Sequence, residues 1–405
     1  MYDMILVRFG EMTLKKANYK IFLKKIISNI KSKLQSFPKL TFNNTTYRFY
    51  IYLNGEDVLP ILEVLQTIVG IYSFSLCKKT TSDLDAIAQT ALFCLDNQPL
   101  KLPYKFKVET NRADKTYPLT SIQISQEIAK RILPLYPGLK VDVHNPDVVL
   151  SIDMRYEGTY LYTQVIKGLG GYPSGIAGRG LVMISGGIDS PVASYLALRK
   201  GMQLEAIHFA SYPYTSNEAL QKVIDLLERI SVYTENSSFI LHVIPFTDIQ
   251  LAIKEKVKTT YLMTIMRRSM LRLSTMLAKM QNLDAIINGE SIGQVASQTI
   301  ESMKVVNEVT NMPVIRPLAT YDKEDIIKIA KEIKTYDISI IPYEDCCTIF
   351  VPQHPIIKPK LDEALKEEAK IDFTILEEKA LESKVVYKLS SLEKTLINPF
   401  KKYEI

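Results

Sequence analysis

Leu181-Val-Met-Ile-Ser-Gly-Gly-Ile-Asp-Ser-Pro-Val192 is the stretch from which the rest of the chain is read. The apolar run Leu181, Val182, Met183 and Ile184 has the length and composition of a buried parallel strand. Ser185 to Ser190 then turn into a helix beginning near Pro191, whose missing N–H is no loss in a first helical turn. Gly186 and Gly187 let backbone N–H groups approach a ligand without a Cβ in the way, and Ser185 and Ser190 add hydroxyl donors. A strand, a phosphate-sized turn and a helix N-terminus together suit an anion. The loop lacks the Gly-Lys-Ser/Thr ending of a Walker A loop, and in its place Asp189 is suited to hold a magnesium ion or orient a nucleotide.

This loop resembles the PP-loop of ATP pyrophosphatases, whose Ser-Gly-Gly-x-Asp-Ser signature binds the pyrophosphate of ATP. The resemblance implies adenylyl transfer: ATP activates an oxygen as its AMP ester, pyrophosphate leaves, and a nucleophile displaces AMP. A strand-to-helix turn merely softened by glycine would not need so many specified positions to coincide.

At 405 residues with 47% hydrophobic content, the chain can bury more than one core, and its length favours two or three domains. No apolar run reaches the ~18 residues that span a bilayer. The opening Met1-Tyr-Asp-Met is strand-like and not a secretory signal, so the expected location is cytoplasmic, with no membrane partner. Four cysteines in so long a chain argue against a disulfide scaffold, and four histidines leave few ligands, so no metal site built by protein ligands is expected. The net charge of +6 is unevenly placed. Residues 1–35 carry Arg8, Lys15, Lys16, Lys20, Lys24, Lys25, Lys31 and Lys33 against Asp3 and Glu11. Such a field suits a polyanion such as RNA, although a solvated lysine-rich helix face is the more common explanation when nothing else points to nucleic acid.

N-terminal to the loop, residues 3–9 read as a strand, Asn18 to Leu34 as a helix, Tyr47 to Leu53 as a strand, Asp57 to Val69 as a helix and Ile71 to Leu76 as a strand. This alternation resembles a small α+β layer, ferredoxin-like in kind, with Lys16, Lys20, Lys24 and Lys31 near one helix face. The pattern restarts with a helix at Leu84 to Leu95, a strand at Phe106 to Arg112, a helix at Ser121 to Leu133 and strands near Val148 to Met154 and Tyr160 to Val165. Cys77 and Cys94 read as packing residues. The stretch Phe106-Lys-Val-Glu-Thr-Asn-Arg-Ala-Asp-Lys-Thr-Tyr-Pro118, with Ser121 and Asp147 to Gly158, resembles a THUMP domain, a module of RNA-modifying enzymes. Glycines at 168, 170, 171, 175, 178 and 180 precede the loop's strand and read as a linker passing close to the nucleotide, which sets the boundaries at 1–75, 76–167 and 168–405.

C-terminal to the loop, strands alternate with helices: Leu204 to Ala210, Glu218 to Ser231, Phe239 to Pro245, helical segments over Asp248 to Asn282, and Ala285 to Asn288. That alternation argues for a parallel sheet covered on both faces, with the ligand at the carboxyl ends of its strands. Ser185 to Ser190, His208, Phe209, Gly289 and Glu290 then share one rim. The fold class expected is multidomain α/β and α+β: a ferredoxin-like layer, a THUMP domain and a parallel-sheet PP-loop ATP pyrophosphatase domain.

With Tyr261 to Arg268, Asn288-Gly-Glu-Ser291, Gln294-Val-Ala-Ser-Gln298, Arg316-Pro-Leu and Asp322-Lys-Glu324, nearly the whole chain resembles the tRNA 4-thiouridine synthetase (tRNA sulfurtransferase) family. The resemblance places Met183, Ile184, Ser185, Gly186, Gly187, Asp189, Ser190, His208, Phe209, Arg267, Gly289 and Gln298 at ATP, with Mg²⁺ alongside. It gives Asp189 and Lys323 roles in adenylylation, and a cysteine near 346 the role of resolving a persulfide, which favours Cys346 with Cys347 beside it. It also implies tRNA as partner, adenylylation of uridine (position 8) and a homodimer. From the residues alone, Met183 and Phe209 suit core packing equally well. Lys323 follows Asp322, a plausible N-cap for a helix over Asp325 to Ile333. At least one of Arg267 and Arg268 should meet phosphate or RNA, leaving the other for the surface.

Longer members of the family carry a further rhodanese-like domain with a persulfide cysteine. The stretch from Thr348 to Ile405 is too short for one and holds no cysteine, so the short form is expected. Sulfur should then arrive from a separate persulfide donor such as a cysteine desulfurase, and the thiamine thiazole role that accompanies the missing domain is not expected. The rival readings are a PP-loop amide ligase acting on a small molecule, which leaves residues 1–165 idle, and a non-catalytic RNA-binding protein, which leaves the Asp189 loop unexplained.

Overall fold

The computed structural model describes all residues except 1, 11–14, 16–17, 46–47, 99, 101, 296, 344–354, 393 and 396–405. Cys346, Cys347 and His354 therefore lie outside the described residues, as does Lys16. The chain divides into two compact units, residues 1–20 with 33–171 and residues 21–32 with 172–405.

In chain order the first part contains β1 (Met4–Phe9), α1 (Tyr19–Lys33), β2 (Thr41–Asn44), β3 (Phe49–Tyr52), α2 (Val58–Gln66), β4 (Ile71–Thr80), α3 (Leu84–Asp96), β5 (Tyr104–Arg112), α4 (Ser121–Ile132), β6 (Leu139–Val141), β7 (Val148–Arg155), β8 (Gly158–Tyr162) and β9 (Ile166–Lys167). The strands of the first unit form one sheet in the order β2-β3-β1-β4-β8-β7-β5-β6, with β9 beside β4. The long strand β4 joins the two halves: its residues 71–77 pair antiparallel with β1, and Lys78, Lys79 and Thr80 pair with β8. It runs unbroken across the boundary expected between residues 75 and 76. Cys77 and Cys94 are buried and free, and burial pushes the Cys94 thiol up to about 12 and the Cys77 thiol further still. Thiols so held stay protonated and pack as small apolar groups, as read from the sequence.

The second unit contains β10 (Arg179–Met183), α5 (Asp189–Arg199), β11 (Gln203–Ala210), α6 (Asn217–Ser231), β12 (Ser238–Pro245), α7 (Thr247–Lys256), α8 (Leu262–Met280), β13 (Ala285–Ile287), α9 (Ile300–Asn307), β14 (Val314–Ile315), α10 (Lys323–Glu332), α11 (Tyr336–Ser339), α12 (Leu361–Glu368), α13 (Phe373–Glu382) and β15 (Val385–Ser390). Its sheet runs β14-β13-β10-β11-β12-β15. The first five strands are parallel, as alternation with helices requires. Strand β15 adds an antiparallel edge on β12 that the sequence reading did not contain. Gly180 lets β10 lie tightly against its neighbour, because a Cβ there would fall 2.4 Å from Ile287 Cδ1.

Of the linker glycines, Gly175 and Gly178 lie in the second unit and are not near its ligand rim, contrary to the sequence reading. Gly175 and Ala177 donate to the Gly201 carbonyl, and the Gly178 carbonyl accepts from Gln203 N, which opens β11. The linker therefore runs along the amino ends of the strands, opposite the loop at Ser185 to Ser190. Glycine is needed there for backbone geometry: Gly175 and Gly178 have φ of 85° and 84°, a region L-residues avoid.

Helix α8 is apolar on most of its surface, and two of its arginines are held inside the unit. Arg268 is 2% exposed and donates to Glu368, Glu308 and the Val305 carbonyl. Arg272 pairs with Glu368 and Glu377. Arg268 is thus neither a surface residue nor a candidate for phosphate, because the ends of α9 and α12 bring Glu308 and Glu368 onto it. Among the described residues, no helix is long and apolar enough to cross a membrane.

Candidate active site

The loop after β10 is held by its own serines. Ser185 N donates to Ser190 Oγ (2.9 Å), Ser190 Oγ donates to the Ser185 carbonyl (3.2 Å), and Gly187 N donates to Ser185 Oγ (3.4 Å). The hydroxyls thus fix the turn while helix α5 starts at Asp189, leaving the turn's backbone at a helix N-terminus. The end of β13 approaches this turn closely. A Cβ on Gly289 would lie 2.8 Å from Ser190 N and 2.9 Å from Asp189 C, so only glycine fits without displacing the loop.

A cavity of about 290 Å³ opens between the loop, α8 and the stretch after β13. Of the residues assigned to a nucleotide by resemblance, Met183, Ser185, Asp189, Ser190, Arg267, Gly289 and Gln298 line it. Met263, Met270, Leu271 and Val306 give it an apolar wall suited to a flat ring system. Gln298 Oε1 is buried without a hydrogen-bond partner, an acceptor left for a ligand donor.

Other assigned residues support the cavity from outside it. His208 is buried, and its Nδ1 lies 3.1 Å from the Ile184 carbonyl, tying β11 to the end of β10. Ile184 is buried, and its N–H donates to the Ile207 carbonyl. Phe209 packs edge-to-face on Phe246 with centroids 5.2 Å apart, in the core and not among the residues lining the cavity. The Gly187 carbonyl accepts from Ser339 Oγ at 3.4 Å, and Gly186 lies in the same turn.

Charge is arranged in two groups. Glu290, 8% exposed, accepts from Arg267, from Arg316 Nε (2.6 Å) and from Asn288 Nδ2 (2.9 Å), so one carboxylate is shared by two guanidiniums. Burial pulls the Arg316 pKa below the usual arginine range. Two cations against one buried anion leave the cavity wall positive and suited to phosphate. In the second group Lys323 Nζ lies 2.6 Å from Asp189 Oδ1, and Gln294 Nε2 donates to Asp189 Oδ2 at 2.9 Å. Lys323 opens α10, which starts two residues earlier than expected, and Asp322 occupies the N-cap without a side-chain cap bond. Asn288, Glu290, Gln294, Ser297 and Arg316 are the site residues that the sequence reading quoted within motifs but gave no task. Their only signal was the motif itself, since Glu290, Gln294, Ser297 and Arg316 find partners on other stretches of the chain.

Elsewhere the basic face is partly committed. Lys25 pairs with Glu235 at 2.7 Å, and burial lowers the Lys33 pKa to about 8. Lys20, Lys24 and Lys31 are exposed. Arg112 donates to the Tyr117 and Leu119 carbonyls, and Arg131 pairs with Asp85, so both serve the folding of their own half.

Fold and site together define a PP-loop α/β domain in a chain that also carries a ferredoxin-like layer and a THUMP domain. Residues 175–373 match the family described as Thiamine biosynthesis protein (ThiI), residues 4–75 the ThiI ferredoxin-like domain and residues 81–164 the THUMP domain. The chain is 48% identical to a protein of Acholeplasma laidlawii named "Probable tRNA sulfurtransferase", over 94% of this chain and 92% of that one. It is also 48% identical to the protein of the same name from Geobacillus kaustophilus, over 94% of each. Among solved structures it is similar to a 4-thiouridine synthetase–RNA complex with bound ATP, with a TM-score of 0.88 and 34% identity, over 96% of this chain and 100% of that chain. The chain belongs to the tRNA sulfurtransferase family, and is an enzyme of that type.

Proposed function

We propose that this enzyme uses ATP to adenylylate O4 of uridine 8 in a tRNA and replaces that oxygen with sulfur from a protein persulfide, giving 4-thiouridine. The observation that carries the proposal is the Asp189–Lys323 pair beside the serine-held loop, at the edge of a cavity with an apolar wall and two arginines. The ATP and RNA in the similar 4-thiouridine synthetase structure support it.

In this reading the uridine O4 attacks the α-phosphorus and pyrophosphate leaves over the turn at Ser185 to Ser190. Met183 and the apolar wall receive adenine, and Gln298 Oε1 accepts from its amino group. Arg267 and Arg316, held by Glu290, face the phosphate chain. Asp189 fits a magnesium ion because it is the carboxylate at the loop, whereas Glu290 is saturated by its three donors. With one protein carboxylate available, most ligands would be phosphate oxygens and water, as magnesium prefers. When bound, the ion supplies charge neutralisation for the departing pyrophosphate. Lys323 holds Asp189 and adds positive charge at the same place.

The terminal sulfur of a donor persulfide, such as that of a cysteine desulfurase, then attacks C4 and AMP leaves. The thiolate of Cys346 attacks the carrier sulfur, forming a disulfide with it and releasing the 4-thiouridine sulfur. The ferredoxin-like layer and THUMP domain are assigned to gripping tRNA through shape and phosphates. The fitting place for this work is the cytoplasm. The test is pyrophosphate release from ATP, measured with and without unmodified tRNA: release that requires tRNA supports the reading, and release with no tRNA dependence counts against it.

A further inference from the structure

We propose that Gln294 is a positioning residue for Asp189, and that the loop carrying it links the nucleotide cavity to the orientation of that carboxylate. The proposal rests on the reading of Asp189 as a residue of the adenylylation step. Asp189 is held at both oxygens: Lys323 donates to Oδ1 at 2.6 Å and Gln294 to Oδ2 at 2.9 Å. Lysine supplies charge and one point of attachment. The amide supplies the second point, which removes rotation of the carboxylate about its own axis.

The two donors come from segments fastened to each other. The Gln294 loop begins where Ser291 Oγ donates to the Tyr321 carbonyl (3.1 Å) and Ile292 N donates to the Ala319 carbonyl (3.1 Å). Residues 319–321 lead directly into Lys323. The same loop is closed on itself by Gly293 N donating to the Gln298 carbonyl at 2.9 Å. Its far end meets the cavity: the Ser297 carbonyl accepts from Arg267, and Gln298 lines the wall. A base seated against Gln298 and a phosphate drawn to Arg267 would therefore act on the loop that holds Asp189. Gln294 itself does not line the cavity, which separates a task of orientation from one of nucleotide contact.

The test uses the full chain with Gln294→Ala and Gln294→Met, the second keeping side-chain bulk while removing the donor. Both variants should lower kcat for tRNA-dependent pyrophosphate release about ten- to hundredfold, the range for outer partners of a catalytic group. The KM for ATP should stay near the wild-type value, because ground-state contacts are kept. Wild-type kcat in Gln294→Met, with or without a loss in Gln294→Ala, would reduce the residue to packing and overturn the proposal. A crystal structure of Gln294→Met adds a readout independent of turnover. A turned Asp189 carboxylate supports positioning, and an unchanged carboxylate overturns it even if the wild-type chain shows no tRNA-dependent release, a result that would defeat the functional reading separately.

Discussion

Lys323 Nζ lies 2.6 Å from Asp189 Oδ1, a contact between residues 134 apart in sequence that closes helix α10 onto the N-terminus of helix α5. Both side chains are partly open to solvent, so the pair adds little to stability. Its value, in the proposed function, is its place beside the serine-held loop at Ser185 to Ser190.

Lys323→Met should therefore leave the fold intact while lowering the rate of tRNA thiolation, by about 10²–10³-fold if its charge acts on the leaving pyrophosphate. Thermal melting and single-turnover formation of 4-thiouridine check this together. A variant with lowered melting temperature and a normal rate per folded molecule would show that the pair is structural.

Gly289→Ala is the sharpest steric probe of the site. Its Cβ would press on the backbone of Asp189 and Ser190, neither of which can give way without moving the loop. We expect destabilisation of about 1–3 kcal/mol and at least a tenfold loss of ATP affinity. Denaturant titration and calorimetric ATP binding check the two effects.

Arg268→Ala should cost about 1.5–3 kcal/mol, because it removes the charge-assisted hydrogen bonds of a buried guanidinium and leaves the partly buried Glu368 with Arg272 alone. The loss would appear in urea unfolding. Because Arg268 is not among the residues that line the cavity, the KM for ATP of the folded fraction should change little.

The same network sets an acid limit. Burial pushes the Glu368 carboxyl up, but hydrogen bonds and charge from Arg268 and Arg272 outweigh it, and its pKa ends below the usual glutamate value. A carboxyl depressed in the folded state contributes stability that is complete above its unfolded pKa of about 4.3 and is lost as pH falls through the folded value. Stability measured by denaturant should thus fall as the pH drops below about 4, and Glu368→Gln should flatten part of that slope.

Much of this was readable in the sequence for physical reasons. Four of the five parallel strands of the second unit showed as short apolar runs because both of their faces are covered, whereas the two-residue β14 is too short to show, and the loop showed because a tight glycine and serine turn into a helix restricts residue types at successive positions. Strand β15 did not, since Val385-Val-Tyr-Lys-Leu-Ser390 is an edge whose outer side chains meet solvent. The roles of Glu290, Gln294 and Arg316 were hidden for another reason. Each is defined by a partner from a different element, Arg267 for the first, Asp189 for the second and Glu290 for the third. Periodicity carries no information about such pairings. Arg268 was misread on the same ground, because its carboxylates lie 40 and 100 residues away.

The central claim is tested most directly by mass spectrometry of tRNA nucleosides after incubation of unmodified tRNA with the enzyme, ATP, Mg²⁺ and a persulfide donor. The account predicts 4-thiouridine with the wild-type chain and none with Asp189→Ala. An absence of 4-thiouridine from the wild-type reaction while ATP is bound, or equal yields from both proteins, would contradict it.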